Sequence, residues 1–309
     1  MSKLLFCFQH FKQEKHDYAK EPKNNKKGEI NMSNYVSYEP TRSMIYVDCA
    51  DEDSRIKLQY WLYRTHIPDS ISQFGPYVTK YAFYNALPVP PDGERFGTIK
   101  MQLTEHNWMV NHLDPRTINK VLTEIMPPEV LVWQNNMPKE ALTGGNMDGD
   151  DFRKTSGGNV PFIFAHVPLW WEQDVKGSGR TLNDGPNYRW NFCIAYPEGV
   201  SMEEGDKWLF EEVFPVFEKM PECTRIMTSK VIQEINDCPM QRMVEMWFEG
   251  PTNWHKCAVE ATASLPKPAW AQADVFPYLK PYYNIIGGFV TDYATSDNLT
   301  QYRGYITMR

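Results

Sequence analysis

Seven histidines, several beside aromatic residues, are the groups in this chain best suited to moving a proton near neutral pH. His66 leads them. It closes the run Trp61-Leu62-Tyr63-Arg64-Thr65-His66-Ile67-Pro68, whose spacing reads as a helix ending or bending at the proline. A structural reading stands beside the catalytic one: a histidine at a helix C-terminus is also favoured by the helix dipole. Arg64, in the same turn, is suited to clamping a carboxylate or else to the surface. Glu105, Trp108 and His112 fall at i, i+3 and i+7, one face if this stretch is helical, where an acid would orient an imidazole base or form a solvated edge. His106 and His112 are six apart, so they are not the i, i+4 pair of a helical zinc site. His166, in the apolar run Pro161 to Val167, reads as a cavity-lining or a satisfied core histidine. Lys100 and Gln102 alternate with Ile99, Met101 and Leu103, so these polar side chains are expected on the opposite sheet face from the apolar three. Glu245 takes the analogous place later in the chain, and Tyr46, Asp48, Tyr81 or Tyr84 could join them. A lysine or tyrosine so placed could hold an enolate or carboxylate oxygen. A Lys100–Glu245 pair that neutralises itself is the alternative.

Other chemistries find little support. Asn146 to Asp151 is calcium-loop-like, but its glycine is fourth instead of sixth and Gly157 stands where the bidentate glutamate belongs. Gly177-Ser178-Gly179-Arg180 is not followed by Gly-Lys-Ser/Thr, no GxGxxG follows a strand, and no GxSxG elbow occurs. The formal charge of −7 argues against a nucleic-acid footprint. No apolar run approaches the roughly 20 residues of a membrane helix. The six cysteines are scattered without a CxxC pair, which suits reduced thiols in a cytoplasmic protein.

The elements that must position these groups occur twice. Trp61-Leu62-Tyr63 precedes Ile67-Pro68, and Trp208-Leu209-Phe210 precedes Phe214-Pro215, with the same Trp-to-Pro spacing. His66 in the first copy is matched by Val213 in the second. Around each motif the pattern reads strand, helix, two strands, second helix, with Val160 to Val167 and Phe289 to Tyr293 as closing strands. Thr98 to Leu103 is expected as a strand, Thr104 to about Met126 as a helix, and Leu169 to Asn187 as an insertion. The order β-α-β-β-α-β is the ferredoxin-like split motif, whose bare sheet face must be buried. Two such units in one chain can bury those faces on each other as an α+β barrel around a cavity. The expected organisation is a disordered basic leader over 1–39, a first repeat over 40–170 with a Gly- and Asp-rich insertion, a loop over 171–187, and a second repeat with a tail over 188–309.

The strand Arg42 to Cys49, then Trp61…His66-Ile67-Pro68, then Pro76 to Ala86, then Gly97 to His112, resembles the dimeric α+β barrel superfamily, in particular its EthD-like members. The likeness covers residues 40–112 and, more loosely, 188–295. It implies a cofactor-free enzyme, with neither metal nor organic cofactor, of isomerase, lyase, cyclase or hydrolase type. Its substrate would be a small aromatic-derived or conjugated carbonyl compound. His66 would move the proton, with Lys100, Tyr81, His112 and Glu105 completing the catalytic set. Arg64, Tyr84, Gln102, Trp108, His166 and Glu245 would bind substrate. Haem binding through a histidine, known in tandem barrels of this kind, is the alternative, and a non-catalytic ligand-binding or scaffold protein a third. The expected partners are a small molecule and a second copy of the chain, with no nucleic acid and no membrane.

Overall fold

The structure, a computed structural model, describes residues 41–49, 52–75, 78–108, 162–177, 187–233 and 238–299. Strand β1 (Thr41–Cys49) leads into a continuous helical run of α1 (Glu52–Trp61), a π-helical turn (Leu62–His66) and α2 (Ile67–Phe74), which carries on past Pro68 instead of ending there. Then come β2 (Val78–Asn85), a 3₁₀ turn (Gly93–Phe96), β3 (Gln102–Trp108) and β4 (Phe162–Lys176). The later part holds β5 (Tyr188–Ile194), α3 (Met202–Trp208), a second π turn (Leu209–Val213), α4 (Phe214–Lys219), β6 (Arg225–Val231) and β7 (Arg242–Phe248). It ends with α5 (Pro251–His255), a third π turn (Lys256–Glu260), β8 (Ile285–Thr291) and the short β9 (Ser296–Asp297).

Both π turns that precede a proline have the same cause. Pro68 and Pro215 lack the N–H that an α-helix would donate four residues back, so the local ladder widens just before each ring. Ser201 caps α3, its hydroxyl accepting from Glu204 N at 3.1 Å.

The nine strands among the described residues lie in one sheet in the order β8-β5-β7-β6-β4-β1-β3-β2-β9, and each of their ladders is antiparallel. The sheet curls into an α+β barrel with helices outside. Its β8 side returns to the segment joining β2 and β3: Ile99 N donates to Gly287 O at 2.8 Å, Gly287 N to Gly97 O at 3.1 Å, and Leu87 N to Phe289 O at 2.7 Å. Gly97 makes that seam feasible. Its φ is +61°, and a Cβ there would stand 2.2 Å from Ile285 O. The strands β4-β1-β3-β2 and β8-β5-β7-β6 follow the same internal order, and β4 joins the two sets through β6.

Strands β1, β3, β5, β7 and β8 are buried on both faces, one toward the barrel interior and one toward the helices. In the first set the interior face carries Met44, Tyr46, Leu103 and Val167, each at most 1% exposed. In the second set the helix-facing side carries Trp190, Phe192, Met246 and Phe289, packed with Phe214 and Phe217 of α4. Burying such side chains contributes about 1.5–3 kcal/mol apiece before conformational entropy is subtracted.

Several expected elements differ. Residues 104–108, read as the start of a helix, are the body of β3, paired on one side with β1 and on the other with β2. Residues 98–101 precede that strand and serve the seam instead. β4 runs on to Lys176, so the expected loop over 171–187 begins as strand, held by β6 from Ile226 to Val231. The leader 1–39 and the insertion around 134–159 lie outside the described residues. Among the described residues no helix is long and apolar enough to cross a membrane.

Candidate functional site

Two places hold buried polar groups: the barrel interior and the layer between sheet and helices. The ladder registers relate them. In β1–β3, Ser43 stands opposite His106 and Ile45 opposite Thr104; in β5–β7, Trp190 stands opposite Met246 and Phe192 opposite Val244. Aligning the two ladders matches His106 with Met246, Thr104 with Val244 and Ser43 with Trp190. On the opposite face it matches Arg42 with Arg189 and Glu105 with Glu245.

That opposite face points into the barrel, where the two Arg/Glu pairs form a ring. Arg42 Nε donates to Glu105 Oε1 at 2.8 Å, and its Nη1 reaches Glu245 Oε1 at 2.5 Å. Arg189 Nε donates to Glu245 Oε2 at 2.6 Å, and its Nη1 lies 3.7 Å from Glu105 Oε2. Lys80 Nζ adds a bond to Glu105 Oε2 at 2.8 Å. Burial alone would raise both carboxyl pKa values, but the facing guanidinium groups, joined at Glu105 by Lys80, hold them well below the usual range. These carboxylates are permanently ionised partners of arginine and unsuited to trading protons near neutrality. Tyr84 is beside them, with Arg189 Cζ 5.6 Å and Lys80 Nζ 5.3 Å from its ring centre. Further in, the Tyr46 hydroxyl meets Asn191 and lies 3.4 Å from Cys193 Sγ. β1 and β5 are separated by three strands, so these contacts span the barrel. The expected guest cavity is filled at these levels by the protein's own side chains.

The helix-facing layer of the first set is different. His66 ends the π turn, 7% exposed, with Nε2 3.5 Å from Ser70 Oγ. Burial pushes its pKa down to about 4, so the ring is neutral at pH 7. One turn earlier Tyr63 packs edge-on against Phe83, which pairs with Thr104 in the ladder. The helix therefore brings His66 toward the level of His106, two residues further along β3. The His106 ring is 4.5 Å from that of Tyr81 and 5.7 Å from that of Trp108, both edge-on. Trp108 Nε1 donates to Ser43 Oγ at 3.0 Å, and Gln102 Nε2 to Thr104 Oγ1 at 3.1 Å. The result is a layer with two imidazoles, three serine or threonine hydroxyls, an amide and four aromatic rings.

The expected catalytic set is not assembled. Lys100 is exposed and bonds Glu94 at 2.9 Å, far from pairing with Glu245. Leu103 faces inward, so Gln102 faces the helices, the reverse of the expected alternation. Glu105 and Trp108 lie on opposite faces of a strand, not on one helical face, and Glu105 is locked in the ring. Tyr81 and Tyr84 separate the same way, Tyr81 beside His106 and Tyr84 in the barrel. Arg64 is exposed. His166 stands opposite Ile45 in the β1–β4 ladder. His112 lies outside the described residues. The interior placement of Glu245 and Tyr46 agrees with expectation. Arg42, Lys80 and Arg189 were not singled out, though the matched strand openings Thr41-Arg42 and Tyr188-Arg189 are a readable signal.

The family model described as chalcone isomerase N-terminal domain matches residues 38–139, about a third of the chain. No curated protein matches. Among solved structures, a mutant chlorite dismutase from Candidatus Nitrospira defluvii in complex with cyanide is 8% identical, covering 82% of this chain and 90% of its own, with a TM-score of 0.42. An anthrone oxidase-like protein is likewise 8% identical, covering 82% of this chain and 91% of its own, also at 0.42. Lys100, Glu105 and Tyr84 lie away from His66 and Tyr81, so the expected acid–base residues are dispersed. The expectation of a cofactor-free acid–base enzyme of EthD-like type is accordingly withdrawn.

Proposed function

We propose that this chain is a binding protein for a small, flat aromatic molecule, taken up in the helix-facing layer of its first half. The observation that supports this reading is positional. His66 and His106 stand where the other half has Val213 and Met246, so polar groups interrupt one buried layer at places that the other fills with hydrocarbon. Ligand pockets are typically apolar with a few placed polar groups, which is the composition of this layer. The family-model match covers the same half. Its name refers to chalcone, a conjugated ketone between two aryl rings, and only that ligand class is carried over.

Chalcone itself is the probe. Titrated against the full chain and followed by tryptophan fluorescence, it should saturate one site. His66→Val and His106→Met, which copy the other half, should each weaken binding about tenfold or more, the value of roughly one buried hydrogen bond to an aromatic ligand's polar group. Met246→Ala should leave affinity within about twofold. Absence of saturable binding, or variants that bind as tightly as the parent, would overturn the reading.

Haem is a second reading with one observation in its favour: burial keeps the His66 imidazole neutral, the form that donates to iron. His66 would hold the iron, and Tyr63, Phe83 and Trp108 would form the aromatic surround. The group, when bound, would supply the iron chemistry, and the layer would hold it out of water. Haemin added to the chain should then give a Soret shift that His66→Val abolishes; an unshifted band removes this reading without touching the first.

We further propose that the two strand sets are ferredoxin-like copies fused in one chain. The shared strand order, the matched Arg/Glu pairs and the matched π turns support it. A cytoplasmic setting fits the five described cysteines, all free thiols.

A further inference from the structure

The helix-facing layer of the second half holds an aromatic box, and the ring at its centre comes from the first half. Phe96, on the segment joining β2 and β3, is fully buried. Its ring lies 4.9 Å from Trp190, 5.6 Å from Trp254 and 5.8 Å from Phe276, each at an edge-on angle between 61° and 80°. Two polar atoms of the box are unsatisfied. Among the described residues the indole N–H groups of Trp190 and Trp254 are buried without an acceptor, although both residues are completely inaccessible. An indole N–H is a donor only, and when buried it usually finds a partner. A phenyl ring supplies shape but no lone pair.

We propose that this box is a second aromatic binding site, specific for a ring that bears a hydrogen-bond acceptor, and that Phe96 occupies it as an internal stand-in. The arm that delivers Phe96 is held from both sides. Arg95 Nη2 donates to Ala258 O at 3.2 Å, and His255 Nε2 lies 3.0 Å from Asp92 Oδ2. Thr98 Oγ1 donates to Gly93 O at 2.6 Å, and the Gly97–Gly287 seam follows at once. The backbone around residue 96 is thus fixed independently of the Phe96 ring, so removing the ring leaves a pocket instead of a collapsed core. The free ligand would insert its ring edge-on between the two indoles and accept from one or both N–H groups. No residue of the first-half site takes part, so this site stands or falls apart from the chalcone reading.

The test compares two near-isosteric probes, toluene and benzonitrile, on full-length Phe96→Ala. The melting temperature of the variant should rise by several degrees with saturating benzonitrile and by clearly less with toluene, while the parent protein moves with neither. The emission of the buried indoles should shift with benzonitrile in the variant alone. Adding His66→Val to Phe96→Ala should leave both responses in place. Phe96→Val carries the same comparison if the alanine variant does not fold. Equal responses to the two probes would overturn the acceptor specificity. No response in either variant, or an equal response in the parent, would overturn the site.

Discussion

The two halves place the same backbone under opposite side-chain regimes. In the first, the layer between sheet and helices carries Ser43, Thr104, His106 and His66; at matching places the second carries Trp190, Val244, Met246 and Val213. The second layer is an interlocked set of rings, with Trp190 stacked on Phe289 at 6.2 Å and set edge-on to Trp254 at 5.6 Å. The barrel interior shows the converse. There the halves agree at the ion-pair level, Arg42 with Arg189 and Glu105 with Glu245, although Met44 and Tyr46 are matched by Asn191 and Cys193. A fold can therefore keep its inter-half contact symmetric while one outer layer is turned to packing and the other is left polar.

The symmetric ring is where disruption should cost most. Glu245 is 1% exposed and faces two arginines, so Glu245→Ala leaves Arg42 and Arg189 to share Glu105 in a dry interior, with Arg189 losing its close partner. We expect a loss of about 3–5 kcal/mol, the usual penalty for breaking a buried ion pair from one side. Glu105→Ala should cost less. One of its three partners, Lys80, has a side chain 35% exposed and can turn to water. Urea midpoints for the two variants at one pH rank them, and an equal loss would mean that the halves share the ring evenly.

Next in size is a pH dependence that only the first half should show. The pKa of His66 is about 4 in the fold against 6.5 when unfolded, because burial disfavours the imidazolium. Above pH 6.5 both states are neutral and nothing is lost. As pH falls from 6.5 toward 4 the unfolded chain takes up a proton that the native state refuses, and stability falls by up to about 3 kcal/mol. His66→Val, which installs the residue of the other half, should flatten that stretch of the stability curve. A curve that keeps its slope would place the titration elsewhere.

How much of this was legible follows from how many faces are buried. β1 and the Trp-to-Pro motif could be read because one period dominated each, although the helix expected to end or bend at Pro68 runs on to Phe74. β3 could not, since Leu103 and Glu105 point into the barrel while Gln102 and His106 point at the helices, and all four are buried. Where water touches neither face, alternation of polar and apolar residues no longer tells inside from outside. The same stretch offered Glu105, Trp108 and His112 at helical spacing, and only pairing with two neighbouring strands fixes it as sheet. His66 in the first Trp-to-Pro motif, against Val213 in the second, lies in the half with the polar layer. Which polar residues gather there depended on that inverted face, and so Lys100 and Glu105 were grouped with His66 wrongly.

A smaller effect should appear at the other end of β1. Asp48, where the aligned second strand has Ala195, is 6% exposed and its carboxyl is raised to about 6, chiefly by burial. The sign is opposite to that of His66: stability is full below the unfolded value near 3.9 and falls as pH rises through 6. Screening by Lys100 and by the nearby solvent reduces the ideal figure, leaving about 1–2 kcal/mol. Asp48→Asn keeps an oxygen to accept from Cys49 N at 3.0 Å and removes the charge. Its melting temperature should exceed that of the parent at pH 7.5 and match it at pH 4.

The least effect is expected at Arg64, and it bears on the comparison because Arg64 neighbours His66 without sharing its burial. Its side chain is exposed on the π turn, where truncation removes neither packing nor a buried partner. Arg64→Ala should change stability by less than about 0.5 kcal/mol, as surface substitutions away from special features do. It should also leave chalcone affinity within about twofold, while His66→Val lowers it tenfold or more. A larger effect at Arg64 would move the binding surface from the buried layer to the outer face of the helical arm, and the contrast with the ring-filled layer of the second half would no longer explain where the ligand goes.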